Sequence, residues 1–228
     1  MSAQQTRMKQ LRHRGLRLLI VDDHPVMRRG LSQVVSELGN VEVCGEAACK
    51  EEALAKIEDL HPDIVIVDIS LGQENGLDLI KEVKSRFSAI KMLVHSMHDE
   101  TMFAERALRA GALGYIGKHE TTQALIEAIY RVADGEVHLS PRMTRRVLRR
   151  TVGQHAPAAE ENPFKTLTDR ELQVFDLIGR GLNTKQIAAR LALSVKTVES
   201  HRENIKAKLG LANAIELTRE AVRWVLEC

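Results

Sequence analysis

The chain has 228 residues, of which 44% are hydrophobic, 28% charged and only 3% aromatic, which suits a globular protein of one large or two small domains. Its three cysteines are an odd number without zinc-ligand spacing, so a disulfide framework is not expected. No apolar run approaches the roughly 18 residues that span a membrane, and we expect a soluble cytoplasmic protein.

The formal net charge of +2 is divided unevenly along the chain. Residues 18–141 contain 12 Lys and Arg against 21 Asp and Glu, a net of −9, whereas residues 163–228 contain 11 against 8, a net of +3. An acidic body joined to a basic end indicates a nucleic-acid partner for that end. Two solvated surfaces of opposite sign would produce the same pattern, so charge alone leaves both interpretations open.

Residues 1–14 are basic and polar and lack the apolar segment of a secretory signal, so they are predicted to be a disordered leader. Short apolar stretches and amphipathic stretches then alternate five times between residues 15 and 141. The predicted strands are residues 16–21, 41–46, 64–68, 90–96 and 112–116, and the predicted helices are residues 25–38, 50–60, 77–87, 100–110 and 121–133. This alternation predicts an α/β domain whose five-stranded parallel sheet is doubly wound.

The pattern changes after residue 141. Residues 142–163 are predicted to be a linker, in which 143–150 could form a basic helix and the rest is rich in Ala, Pro and Gly. Residues 164–228 are predicted to form an all-α domain of four helices, the first opened by a capping box of Thr168 and Glu171. A short turn separates the second helix from the third, which begins after Ser194, and this arrangement is typical of a helix-turn-helix.

Three carboxylates are predicted to meet at one edge of the sheet. Asp22 and Asp23 follow the first strand and Asp68 ends the third, and the carboxyl ends of parallel strands share an edge. Crowded carboxylates need a cation or shared protons, and Mg²⁺ is the natural cation for such ligands. One carboxylate could also act as a nucleophile and become an aspartyl phosphate. Ser96 and Lys118, at the ends of later strands, could hold two phosphoryl oxygens.

Roughly residues 17–141 resemble the receiver domain of bacterial two-component response regulators. The residues that carry the resemblance, in chain order, are Asp22, Asp23, Asp68, Ser96, Tyr115 and Lys118. The resemblance implies that a sensor histidine kinase phosphorylates Asp68, that Lys118 pairs with the phosphoryl group, and that Ser96 and Tyr115 change position in response. It also implies a Mg²⁺ site formed by Asp22, Asp23, Asp68 and the backbone carbonyl of Ser70. One departure is Gly72, which stands where the family often has proline.

The third helix of the C-terminal domain carries the candidate DNA contacts. Its apolar positions are Val195, Val198, Ile205 and Leu209, and its candidate contacts are Lys196, Thr197, Glu199, Ser200, Arg202, Glu203, Lys206 and Lys208. The basic and hydroxyl side chains suit phosphates, whereas Glu199 and Glu203 could accept from a cytosine amino group or pair with a lysine of the same helix.

Residues 167–171, 181–188 and 194–201 resemble the LuxR-type DNA-binding domain of the NarL/FixJ class of regulators. The resemblance implies a four-helix domain that binds repeated half-sites as a homodimer. We therefore expect a phosphorylation-dependent transcription regulator rather than an enzyme, with promoter DNA and a histidine kinase as partners and RNA polymerase as a further candidate.

Two rival functions remain to be weighed against this one. A magnesium-dependent phosphatase could use Asp68 as its nucleophile, although Ser70 stands where such enzymes usually carry a general acid. The second rival is a DNA-binding protein whose receiver serves only as a dimerisation module. The intact set of acidic residues argues against this second function. The sequence also leaves open whether the acidic receiver masks the third helix until it is phosphorylated.

Overall fold

The computed structural model describes residues 15–72, 74–151 and 163–227. The predicted leader and residues 152–162 of the predicted linker lie outside the described residues. The chain divides into two compact units, Met1–Thr144 and Arg145–Cys228. None of the described helices is both long and apolar enough to cross a bilayer.

The first unit is the predicted doubly wound α/β domain. Its parallel sheet has the order β2-β1-β3-β6-β7, from the strands β1 (Leu16–Val21), β2 (Val41–Ala47), β3 (Ile64–Val67), β6 (Lys91–Ser96) and β7 (Gly114–Gly117). The helices are α1 (Pro25–Ser36), α2 (Lys50–Leu60), α3 (Gly76–Arg86), α4 (Glu100–Ala110) and α5 (Thr122–Ala133). The order and type of these elements are those predicted from the sequence.

The two central strands explain why the sheet forms. All four residues of β3 are buried, and β1 is buried at every position except Arg17. Leu18, Ile20 and Ile66 pack with side chains of α1 and α5. Successive side chains of a strand point to opposite faces, so burial of the whole run requires helices on both faces, as a parallel sheet normally has.

The strand register decides which residues lie beside one another at the functional edge. Val21 pairs with Val67, so the residues that follow, Asp22 and Asp68, leave the sheet side by side. The amide of Asp68 donates to the carbonyl of Val21 at 2.9 Å. On the other side of β3, the amide of Lys118 donates to the carbonyl of Ser96 at 2.9 Å.

A small antiparallel hairpin follows Asp68, and the sequence pattern did not predict it. Its strands are β4 (Ser70–Leu71) and β5 (Glu74–Asn75), and Gly72 lies in its turn with φ +59°. Proline is locked near φ −65° and could not adopt the conformation that Gly72 has in this turn.

The segment after α5 runs along the outer edge of β7 before the next helix begins. The amide of Tyr115 donates to the carbonyl of His138 at 2.9 Å, and the amide of His138 donates to the carbonyl of Leu113 at 3.0 Å. The helix that follows, α6 (Pro141–Thr151), confirms the basic helix predicted within the linker.

The second unit is all-helical, as predicted. A short 3₁₀ helix (Pro163–Thr166) precedes α7 (Asp169–Gly179), α8 (Thr184–Arg190), α9 (Val195–Leu209) and α10 (Ala214–Glu227). Capping boxes open two of these helices, formed by Thr168 with Glu171 and by Asn183 with Gln186. Phe164, Phe175 and Trp224 form an aromatic cluster whose ring centroids lie 5.0–6.0 Å apart.

Candidate functional site

The predicted acidic residues come together at the carboxyl edge of the sheet. Ligand atoms of Asp22, Asp23, His24 and Asp68 all lie within 4.8 Å of one another. Asp22 and Asp68 are buried, with 1% and 4% of their surface exposed. A buried carboxylate is costly unless it is paired, so the partners of these two groups decide what the site can do.

Lys118 is the cation that pairs with both buried carboxylates. Its ammonium lies 2.6 Å from Oδ2 of Asp22 and 2.7 Å from Oδ2 of Asp68, and only 3% of its side chain is exposed. Burial lowers the pKa of Lys118, but the charges and hydrogen bonds of Asp68 and Asp22 outweigh burial and raise the pKa above its ordinary value. The lysine is therefore charged at neutral pH and one of its neighbours is Asp68, as the sequence predicted.

The second carboxylate oxygen of Asp68, Oδ1, is not the one that Lys118 binds. Oδ1 of Asp68 is buried and has no hydrogen-bond partner among the described residues. A buried acceptor without a partner is uncommon and calls for an explanation. Three carboxylates beside one lysine leave a surplus of negative charge, so a hard divalent cation such as Mg²⁺ fits this set of oxygen ligands.

The outer side of the cluster is formed by groups that hold Asp22 and Asp23 in place. The His24 amide donates to Oδ1 of Asp22 at 2.8 Å, and the imidazole of His24 lies 2.7 Å from Oδ1 of Asp23. The Gly72 amide donates to Oδ2 of Asp23 at 3.1 Å, which ties the hairpin turn to the acidic cluster. We did not predict a role for His24, because a histidine next to Asp-Asp has no distinctive sequence signal.

The predicted helix-turn-helix consists of α8, a short turn and α9. Ala192 lies in the turn with φ 45°, and the amide of Leu193 donates to the carbonyl of Ala188 at 2.8 Å. The Ser194 hydroxyl caps α9 by accepting from the amide of Thr197 at 3.0 Å. Val198 and Ile205 are fully buried, so the polar side of α9 faces outward.

The candidate DNA contacts on α9 differ in how free their side chains are. Lys196, Glu199 and Ser200 are exposed near the helix start, whereas Arg202 and Lys206 are half-buried. The carboxylate of Glu203 lies 2.9 Å from the ammonium of Lys206. Of the two roles considered for this glutamate, a cytosine contact or a pair with a lysine of the same helix, the structure shows the lysine pair.

Lys208 has a partner in the domain core. Its ammonium lies 2.6 Å from Oε2 of Glu171, whose side chain is only 4% exposed. The hydrogen bonds from Lys208 and Thr168 outweigh burial and lower the pKa of Glu171. This ion pair joins α9 to the start of α7.

Comparison with known proteins places both domains in described families. Residues 18–130 match the response regulator receiver domain, and residues 165–221 match the bacterial regulatory proteins of the luxR family. The oxygen regulatory protein NreC of Staphylococcus carnosus is 35% identical over 212 residues, covering 91% of this chain and 97% of NreC. The chain belongs to the response regulators. NreC of Staphylococcus aureus is likewise 35% identical over 211 residues.

Solved structures agree with this membership. A LuxR-family two-component response regulator from Aurantimonas is 30% identical, covers 60% of this chain and 97% of its own, and has a TM-score of 0.56. RcsB from Salmonella enterica serovar Typhimurium, bound to promoter rprA in the presence of phosphomimetic BeF₃⁻, is 24% identical with a TM-score of 0.60, covering 90% of this chain and 97% of RcsB. The latter likeness supports the fold.

The two predicted switch residues of the response regulator both contact the loop after β6. Ser96 is fully buried and Tyr115 is 1% exposed. The Tyr115 hydroxyl donates to the carbonyl of His98 at 2.7 Å, and the amide of His98 lies 3.4 Å from Oγ of Ser96. Burial, with a smaller contribution from the charge of Asp68, raises the pKa of Tyr115 well above its ordinary value, so the phenol stays neutral and remains a donor.

His98 links this loop to the hairpin after Asp68, and sequence reasoning missed it. Its Nε2 lies 2.9 Å from Oγ of Ser70, and its ring packs 4.7 Å from that of Phe103. Ser70 is the residue whose backbone carbonyl was predicted to bind Mg²⁺. A single histidine two residues beyond a strand end carries no pattern, so only the folded structure could reveal this contact.

Proposed function

We propose that this response regulator accepts a phosphoryl group on Oδ1 of Asp68 from a phosphohistidine of a sensor kinase. The proposal is carried by this buried oxygen, which has no hydrogen-bond partner in the described part of the chain and lies beside the oxygen that Lys118 binds. In the transfer, Oδ1 forms a bond to phosphorus as the phosphorus–nitrogen bond of the donor breaks. The electron pair of that bond leaves with the imidazole.

Mg²⁺ would be held by Asp22, Asp23, Asp68 and the backbone carbonyl of Ser70, and it would neutralise charge on the phosphoryl oxygens. The three carboxylates fit this role because ligand atoms of Asp22, Asp23 and Asp68 already lie within 4.8 Å of one another. Lys118 would keep its contact with Asp22 while its ammonium also binds a phosphoryl oxygen. Because Asp68 is only 4% exposed, the donor can reach it only if outer side chains such as His24 move.

The response to phosphorylation would run through the loop after β6. The Ser96 hydroxyl would be drawn to a phosphoryl oxygen, which competes with its long 3.4 Å contact to the His98 amide. Tyr115 donates to the carbonyl of the same residue, so a shift of the loop would change the position of the tyrosine. A charge event at one residue would thereby bias a two-state loop.

The acceptor assignment is tested by labelling with acetyl phosphate and Mg²⁺, read by intact mass. The wild type and the control Asp59→Asn, at an exposed position of α2, should each gain one phosphoryl group. Asp68→Asn should gain none. Equal labelling of the Asp68 variant would show that the acceptor is another residue, and repeated turnover of an aryl phosphate would favour the phosphatase alternative.

The DNA-reading part of the proposal places α9 in the major groove, with the homodimer on two half-sites. The Lys196, Thr197 and Arg202 side chains would contact phosphates, and Glu199, Ser200 and Glu203 would face base edges. Lys206 and Lys208 would have to give up their pairs with Glu203 and Glu171 to contact phosphates. RNA polymerase is the protein that a regulator bound at a promoter would meet.

Lys196 and Lys208 provide a matched test of this arrangement. Lys196→Gln should lower the slope of log affinity against log salt by about 0.9, the value for one lost phosphate contact. Lys208→Gln should instead lower the stability of the C-terminal domain, because it leaves Glu171 without its cation. The interface assignment fails if Lys196→Gln leaves both affinity and slope unchanged. A passive receiver would be indicated if phosphorylation changed neither quantity in the wild type.

A further inference from the structure

The helix α6 carries a one-sided arginine surface that the proposed function does not use. Its sequence, PRMTRRVLRRT, contains no acidic residue. At about 100° per residue, Arg142, Arg145, Arg146 and Arg149 fall within an arc of about 100° on one side of the helix. Met143, Val147 and Leu148 lie outside this arc. We call the four residues 142, 145, 146 and 149 the arginine face.

Three of the four residues of the arginine face are exposed, whereas the apolar side of the first turn of α6 is buried. Met143 is 1% exposed, and its amide donates to Oγ of Ser140 at 3.1 Å. The amide of Ser140 itself donates to Oε1 of Glu100 at 2.7 Å. These contacts hold the first turn of α6 on its apolar side. Arg142, Arg145 and Arg149 are exposed.

The charges of this surface are not balanced within the helix. Arg142 with Arg146 and Arg145 with Arg149 are like charges four residues apart, which disfavours an isolated helix. None of the exposed arginines, at 142, 145 and 149, makes an ion pair with a described residue. An external polyanion would relieve this repulsion. Guanidinium groups match phosphate oxygens in a planar, two-donor geometry, which makes phosphates the best-fitting partner.

The length of the surface matches a nucleic-acid strand. From residue 142 to residue 149 the helix rises about 10 Å, which is the axial length of about three phosphates on one strand of B-DNA. A single bound phosphate would satisfy only one or two of these arginines. Double-stranded DNA offers a row of phosphates to the three exposed arginines at 142, 145 and 149.

The chain also limits where that DNA can be. Twelve residue steps separate Thr151 from Pro163, so the end of α6 lies no more than about 43 Å from the start of the reading domain. At 3.4 Å per base pair this corresponds to about 12 base pairs. DNA bound by α9 would therefore bring its flanking phosphates within reach of α6.

We propose that the arginine face binds the phosphate backbone of the DNA that flanks the site read by α9. This inference rests on the proposed DNA reading by α9 and extends it to a second, sequence-independent contact. Its effect is to lengthen the footprint and to increase the salt dependence of binding without adding base specificity.

The test compares full-length variants on a duplex of about 44 base pairs, which leaves about 12 base pairs on each side of a central site of two half-sites. The test variant carries Arg142→Gln, Arg145→Gln and Arg149→Gln. Glutamine keeps a good helix propensity, so α6 should persist. Binding is measured by fluorescence anisotropy from about 50 to 200 mM salt, the range in which phosphate contacts dominate.

The control variant removes the same charge from the receiver surface. It carries Arg29→Gln, Lys84→Gln and Arg109→Gln, all at exposed positions of α1, α3 and α4. A variant with lysine at residues 142, 145 and 149 keeps the charge of the arginine face. The single substitution Arg145→Gln keeps the test valid if the triple glutamine variant melts early.

In the triple glutamine variant, the slope of log affinity against log salt should fall by about 2 to 3. Its affinity near 0.1 M salt should fall on the order of 10- to 100-fold. Arg145→Gln should lose about 0.9 from the slope. The lysine variant and the receiver control should both keep the salt slope of the wild type, because the slope depends on the number of phosphates neutralised.

Equal slopes for the triple glutamine variant and the receiver control would overturn the inference. The proposed DNA reading by α9 would survive that outcome, provided that the wild type binds the duplex and Lys196→Gln weakens the binding. A wild type that binds no duplex would remove DNA reading, and the arginine-face contact with it.

Discussion

Replacement of Lys118 by methionine should destabilise the receiver domain strongly. The side chain of Lys118 is 3% exposed, and its ammonium lies within 2.7 Å of the carboxylates of Asp22 and Asp68, whose side chains are 2% and 4% exposed. Methionine has a similar length but no charge, so the variant leaves Asp22 and Asp68 buried without their cation. Removing one partner of a buried ion pair costs about 3 to 5 kcal/mol. For a domain of this size that loss corresponds to a fall in Tm of roughly 10 to 20 °C.

The pH dependence follows from the raised pKa of Lys118. A raised folded-state pKa means that the stabilisation is fully present below the unfolded value and is lost only as pH rises through the higher folded value. The ordinary pKa of a lysine is 10.5. The contribution of this lysine to the free energy of unfolding should therefore be constant from about pH 6 to 9, because these values lie below both the unfolded and the folded pKa.

Urea unfolding followed by far-UV circular dichroism measures the loss. Trp224 is the single tryptophan and lies in the C-terminal domain, so its fluorescence reports that domain separately. Lys50→Met is the control, because its pair with Glu82 at 2.8 Å is partly exposed on both sides and should cost no more than about 1 kcal/mol. Mg²⁺ should stabilise Lys118→Met, by about 2.7 kcal/mol at a hundred times its Kd. A loss below about 1 kcal/mol for Lys118→Met would refute the argument that this lysine neutralises the buried carboxylates.

Four further substitutions test structural features of the two domains. A Cβ on Gly76 would lie 2.0 Å from the carbonyl oxygen of Asp68, so Gly76→Ala should cost about 2 to 4 kcal/mol in urea unfolding. In contrast, Gly30→Ala, in α1 with nothing within 4 Å, should stabilise by about 0.5 to 1 kcal/mol. Tyr115→Phe removes the 2.7 Å hydrogen bond to the loop after β6 and should cost about 1 to 2 kcal/mol, and an unchanged urea midpoint would contradict this. Thr168→Ala removes the capping box of α7 and should lower the stability of the C-terminal domain by about 1 kcal/mol, read by tryptophan fluorescence.

The sequence by itself determined the five strands and five helices of the doubly wound domain, the four helices of the C-terminal domain and their order, but not the hairpin after Asp68. The apolar runs of β1 and β3 can only be buried strands, and the glycine at residue 111 ends α4 in the left-handed conformation with φ +117°. Ser194 and Thr168 are N-caps where their residue types predict them. These features depend on neighbours in the chain, so local chemistry was sufficient to predict them. Even the meeting of Asp22 with Asp68 followed from the sequence, because both end parallel strands.

The tertiary structure alone decided which side chains touch across the sheet edge. The sequence placed Lys118 near the acidic residues, but the parallel registers of β1 with β3, β3 with β6 and β6 with β7 set its ion pairs with Asp22 and Asp68 at 2.6 and 2.7 Å. The contact of His98 with Ser70 joins residues 28 positions apart, and no periodicity predicts it. Likewise, the ion pair that binds α9 to α7 joins Glu171 and Lys208, which lie 37 positions apart, so the sequence pattern did not predict it. Periodicity and capping report on residues a few positions apart, whereas these contacts depend on how distant elements pack, which is fixed only when the chain folds.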